Sequence, residues 1–99
     1  MIDWPLTIKM EDNYGRKAAA YLPKLNFIGM TNPVVQVIDE SDGEIVYTLR
    51  AKVTSFQPKV FKEGLYTILV GEPGTPQMQI LKNIHSLKAG EDYILNVRF

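Results

Sequence analysis

Val34 to Val70 reads VVQVIDESDGEIVYTLRAKVTSFQPKVFKEGLYTILV, and this stretch decides the fold. Asp42-Gly43 lies between two apolar runs, a strong short-range signal for a β-hairpin. A loop of two residues would put Val35 and Val37 on the face of Val46 and Thr48. Val34 and Ile38 would then join Ile45, Tyr47 and Leu49, leaving both faces partly apolar. A loop of three residues moves one strand's side chains to the opposite face. Val35 and Val37 then share a face with Ile45, Tyr47 and Leu49. Gln36, Glu40, Thr48 and Arg50 share the other with Val34, Ile38 and Val46. The second register separates the faces better and suits a type I turn over Glu40 to Gly43, with Gly43 at positive φ. It is the expected one.

Outward from the hairpin, the chain alternates short extended runs with Gly/Pro punctuation. Leu6, Ile8 and Met10 alternate with Thr7 and Lys9 as a first strand, followed by a polar turn over Glu11 to Arg16. Ala18 to Ile28 is a second extended run that Pro23 confines to an edge, bulge or break. Gly29 to Pro33 is a loop before the hairpin. Val53 to Phe61 is a weaker extended segment interrupted by Pro58, and Leu65 to Val70 a strong strand. Pro73-Gly74 fits the central positions of a type II turn. Gln77 to Ile84 and Tyr93 to Arg98 are the last strands, joined through Ala89-Gly90-Glu91. Ile80 to Leu87 is the one candidate for a helical turn.

Tyr66 stands two residues after Gly64 and opens the penultimate core strand. That is the tyrosine-corner position of immunoglobulin-like sandwiches, where the ring fills the core edge and the hydroxyl bonds main chain a few residues upstream. The expectation is an all-β chain: an immunoglobulin-like or fibronectin-III-like antiparallel β-sandwich of about seven or eight strands, in one domain over residues 1–99.

Composition narrows the function classes. Hydrophobic residues make up 45% of the chain and charged residues 22%, which excludes a disordered class. Eleven basic residues balance eleven acidic ones with no basic cluster, so the footprint of a nucleic-acid binder is missing. The absence of cysteine removes disulfides, thiol catalysis and thiolate metal sites. No apolar run approaches the ~20 residues that span a bilayer, and MIDWPLTIKMED lacks the pattern of a signal peptide.

The residues offering chemistry form no recognisable reaction centre. His85 beside Ser86 lacks an orienting third group, so the expectation is no catalytic residue. Asp39, Glu40, Asp42 and Glu44 cluster at the hairpin turn, but their spacing is not that of an EF-hand loop, and no metal or cofactor is expected. Gly71 to Thr75 lacks the Gly-Lys-Ser/Thr ending of a phosphate loop and reads as a turn. Trp4, Tyr14, Tyr21, Phe27, Phe56 and Phe61 could include a stacking platform for carbohydrate, although aromatics in so small a sandwich are more often core.

Trp4-Pro5-Leu6-Thr7-Ile8, Asp12-Asn13-Tyr14-Gly15-Arg16, NPVVQVIDESDGEIVYTLR (Asn32 to Arg50) and PKVFKEGLYTILVGEPGT (Pro58 to Thr75) carry a resemblance covering nearly the whole chain. Together they resemble the C-terminal tail domain of certain bacterial metallophosphoesterases, exported proteins similar to the alkaline phosphatase D and calcineurin-like group. The resemblance implies an accessory module, in the periplasm or at the cell surface, that packs on a catalytic domain or contacts a partner. The parent family's two-metal centre uses Asp, His and Asn ligands; a chain with one histidine carries none of it over.

The expected function is thus a non-catalytic interaction module, the end of a larger exported hydrolase, with its parent domain or a second copy as partner. The alternative is a carbohydrate- or ligand-binding module using exposed aromatics. In the chosen register, Val34, Ile38 and Val46 form an apolar patch on the non-core face, the expected contact site.

Overall fold

The hairpin forms as its alternation dictates, with one irregularity. In a computed structural model that describes residues 18–99, Val34–Asp39 (β3) pairs antiparallel with Ile45–Arg50 (β4), setting Val35 opposite Leu49 and Val37 opposite Tyr47. These four side chains face the core, as the chosen register requires. The register then shifts, and Ile38 meets Ile45. Asp39 N–H donates to Glu44 C=O, so the loop runs from Glu40 to Gly43, one residue longer than expected. Val46 is the extra residue, and the bulge it makes restores the register further along. Ile45 is thereby turned outward, 48% exposed, while Val46 packs against the core.

Leu65–Gly71 (β7) pairs with the other side of β3, and Met78–His85 (β8) with β7, giving a four-stranded sheet in the order β4-β3-β7-β8. The strand expected over Gln77 to Ile84 is formed as β8, and the candidate helical turn over Ile80 to Leu87 is not, since Ile80 to His85 belongs to that strand. Nothing in that run buries a helical stripe, whereas β7 offers it a ladder.

The other layer starts from two prolines. Ala20–Tyr21 (β1) pairs with Lys59–Val60 (β6), and Lys24–Ile28 (β2) with Ser55–Phe56 (β5). Pro23 and Pro58 break both strands of this antiparallel ribbon near the same level, since neither can donate to a ladder. Leu22 N–H donates to Pro58 C=O across the break, and the Gln57 side-chain amide reaches Leu22 C=O at 3.1 Å. Ile94–Arg98 (β9) lies on the far side of β2 and runs parallel to it, making the three-stranded sheet β5-β2-β9. This one parallel pair departs from a wholly antiparallel arrangement. It follows from the route, because β9 returns from the opposite sheet instead of turning back as a hairpin.

The described residues thus hold nine strands, three of them only two residues long. The two layers close on one core, with Leu25, Phe27 and Val97 from one sheet against Val35, Val37, Tyr47, Leu49, Tyr66, Ile68 and Val70 from the other. The chain is an all-β sandwich. Among the described residues no helix is long and apolar enough to cross a membrane. The expected first strand over Leu6 to Met10 and the turn after it lie outside the described residues.

Candidate interaction surface

The hairpin turn holds its own carboxylates. The Asp39 carboxylate accepts from Ser41 N–H at 2.9 Å and from the Ser41 hydroxyl at 2.7 Å, and pairs with Lys62 Nζ at 3.0 Å. Asp42 Oδ1 accepts from Glu44 N–H at 2.9 Å, and Gly43 takes φ 73° and donates to Asp39 C=O at 2.7 Å. These side-chain turns stabilise the longer loop, which explains why it displaces the shorter one. Burial acts to raise the Asp39 pKa, but the hydrogen bonds from Ser41 and the ammonium of Lys62 outweigh it, and the carboxyl is held below its ordinary value. Bonding to Asp39 raises Lys62 in turn.

Tyr66 is 1% exposed, and its hydroxyl donates to Lys62 C=O at 2.7 Å. The bond runs to main chain four residues upstream, the geometry of a tyrosine corner. Burial and the nearby Asp39 charge raise its pKa. Gly64 sits at φ 155° and donates to the Ser86 hydroxyl at 3.0 Å, which ties the start of β7 to the end of β8.

His85 and Ser86 do not face each other as base and nucleophile. His85 Nδ1 lies 2.9 Å from Ser86 C=O, while the Ser86 hydroxyl, 3% exposed, is taken by Gly64. Glu40 is also spent on structure. Its Oε2 accepts from the Thr67 hydroxyl at 2.8 Å and from Asn83 N–H at 2.7 Å, clamping a bulge where Asn83 adopts φ 58°. Among the described residues no three His, Asp or Glu side chains converge to hold a metal ion.

The expected patch of Val34, Ile38 and Val46 does not exist as an exposed surface. Val34 is 5% exposed and clusters with Leu69, Ile38 and Met78 on the face away from the core. Gln36 and Thr48, buried on that same face, bond each other at 3.1 Å. Val46 is on the opposite face, carried there by its own bulge. Both sides of β3 are therefore buried, which alternation could not reveal, because alternation assumes one wet face.

Exposed apolar side chains are scattered over Tyr21, Ile45, Val53, Leu65 and Ile80, and only Tyr93 and Ile94 are adjacent in the chain. Tyr93 is 57% and Ile94 60% exposed, at the start of β9. Next to them a cleft of about 490 Å³ opens between the end of β8 and β9, lined by Pro23, Ile84, Leu87 and Leu95 with His85 and Lys88. At the other end of β9, Gln79 Nε2 reaches Arg98 C=O at 3.0 Å and bridges the two layers. Tyr21, 49% exposed, lies on the other side of the connection over residues 86–93.

Of the aromatics proposed for a platform, Phe27 is core, and Phe56 and Phe61 are half-buried against it. Phe61 stands edge-on to Tyr47 with ring centroids 6.5 Å apart. Trp4 and Tyr14 fall outside the described residues, which leaves Tyr21. Tyr93 was missed, because a tyrosine opening a strand reads as core from sequence. Comparison with family models finds no match, and comparisons with curated proteins and with solved structures find none either.

Proposed function

We propose that this chain is a non-catalytic accessory module that acts by contact, of the immunoglobulin-like or fibronectin-III-like sandwich type. Its parent would be a larger exported hydrolase of the phosphoesterase class that its sequence resembles. The observation that carries the reading is where the polar groups are spent. The carboxylates of Asp39, Glu40 and Asp42 and the hydroxyl of Ser86 are each committed to a turn, a bulge or an ion pair. Two large apolar side chains, Tyr93 and Ile94, are instead left more than half exposed side by side at the β8–β9 cleft. The test is an assay of the purified chain on a generic phosphodiester with added divalent metals. No turnover is expected; turnover abolished by His85→Ala would refute the reading.

A second reading, carbohydrate binding, is favoured by one arrangement. Tyr21 and Tyr93 are both exposed, and each lines a cleft against the connection that carries Lys88 and Glu91, a combination of aromatic and charged groups that suits a sugar chain. Affinity electrophoresis in gels containing soluble polysaccharides tests it. Retardation lost in Tyr93→Ala would support it, and unretarded wild-type chain would dismiss it.

A further inference from the structure

The edges of the described sheets are not equally protected. β4 ends one side of the four-stranded sheet and carries the Val46 bulge. β8 ends the other, with its own register shift and with Lys82 on it. β5 is only two residues long. Proteins shorten, bulge or charge their edge strands in these ways because an open row of N–H and C=O groups is a template for another strand. β9 is the least protected, its one charge being Arg98 at its end. It pairs with β2 from Ile94 to Arg98 without a register shift and contains no Lys, Pro or Gly.

The direction of each β9 polar group follows from two bonds. Lys24 N–H donates to Tyr93 C=O, and Phe99 N–H to Ile28 C=O, each at 2.9 Å. In a parallel pair, one residue's N–H and C=O point to the same side, and successive residues alternate. Tyr93, Leu95, Val97 and Phe99 therefore address β2, while Ile94, Asn96 and Arg98 point away from it. Arg98 C=O is taken by Gln79. Among the described residues no main-chain bond to another element engages Ile94 or Asn96 on that outer side.

Arg98 C=O has a second lone pair beside the one that Gln79 uses, so this outward row is complementary to itself. Run antiparallel to a second copy about a two-fold axis at Asn96, it sets Asn96 against its counterpart and Ile94 against Arg98. No like charges are opposed, and the aliphatic stem of each arginine covers a 60%-exposed Ile94. Asn96 Oδ1 already accepts from Asn26 Nδ2 at 3.1 Å, so an amide row on the outer face would continue across the axis.

We propose that β9 is a self-association edge through which two copies of this chain pair antiparallel, joining their three-stranded sheets into one. Such an isologous contact closes on itself, so assembly stops at the dimer. The inference rests on the reading of the chain as a contact module and names the partner as a second copy.

Sedimentation velocity of the 99-residue chain over a rising concentration series tests it. The wild type should show a monomer–dimer equilibrium. Asn96→Lys and Asn96→Glu should each weaken it by about tenfold or more, since like charges then meet across the axis and the amide row is lost. Mixing the two variants in equal amounts should restore the dimer, because opposite charges now face. Asn96 is exposed, so both variants should keep the wild-type circular dichroism spectrum. A wild type that stays monomeric, or dimerisation undiminished in both variants, overturns the proposal. Neither result bears on the phosphodiester assay, so failure of this inference is distinguishable from failure of the accessory-module reading.

Discussion

Adding a single methyl group at Gly71 should be among the most damaging small changes in this protein. Gly71 ends β7 at φ 142°, and a Cβ there would lie 2.1 Å from Gln77 O and 2.8 Å from Met78 Cα. Both atoms are backbone, Gln77 at the end of the turn and Met78 at the start of the partner strand, so no side-chain rotation relieves the clash. Glu72 N–H donates to Gln77 C=O at 3.0 Å beside it, and pushing β8 away stretches that bond. Overpacking costs about 1–3 kcal/mol, the weakened hydrogen bond about 1, and the backbone conformation about 1 more. The sum of about 3–5 kcal/mol is a large share of the ~5–15 kcal/mol that holds a small domain together. Gly74→Ala is the control: φ is 78°, yet nothing lies within 4 Å of its Cβ, so only the conformational cost of about 1 kcal/mol applies. Thermal unfolding followed by circular dichroism should place the Gly71→Ala midpoint at least ~10 °C below that of Gly74→Ala. Equal midpoints would refute the steric argument and the β7–β8 turn geometry beneath it.

Tyr66→Phe should cost about 1 kcal/mol, measured by urea unfolding, because it deletes a 2.7 Å bond from a buried hydroxyl; an unchanged midpoint would show that the corner contributes nothing. Gly43→Val should cost at least about 1 kcal/mol, since φ is 73° in open space and only the backbone conformation resists. The Asp39–Lys62 pair predicts two pH limits. Asp39 is depressed in the folded state, so its contribution is complete above the ordinary carboxylate pKa of about 4 and is lost as pH falls through the lower folded value. Lys62 is raised, so its contribution is complete below about pH 10 and is lost as pH rises through the folded value. Asp39→Asn should flatten the acid limb of a stability–pH curve; an unaltered acid limb would remove Asp39 from it.

Much of the sandwich was legible because local rules and the fold agree. Val35, Val37, Tyr47 and Leu49 alternate into the core, Tyr66 reaches its main-chain acceptor, and Gly74 takes the positive φ of the turn at Pro73-Gly74. The misreadings share a cause, which is information held outside the local window. The Val46 bulge depends on how Asp39 and Asp42 bind the turn amides, and that choice of loop length exchanged Ile45 with Val46. Gln36 and Thr48 looked like a wet face, and only the folded chain shows them buried and bonded to each other. The parallel β2–β9 pair joins strands far apart in sequence, and no turn signal encodes it. The β9 edge followed from that pairing, so it could not have been anticipated. Only Asn83, an asparagine in a left-handed conformation, left a weak residue-type signal for the β8 bulge.

Amide hydrogen exchange along β9, measured by NMR at low and high protein concentration, tests the central claim most directly. The account predicts alternation in dilute solution, with Leu95 and Val97 protected by β2 and Ile94 and Asn96 exchanging fast. At high concentration Ile94 and Asn96 should gain protection while Leu95 and Val97 stay as they were. Fast exchange at Leu95 and Val97 would contradict the parallel pairing itself, and Ile94 and Asn96 left unprotected at every concentration would contradict the use of β9 as a contact edge.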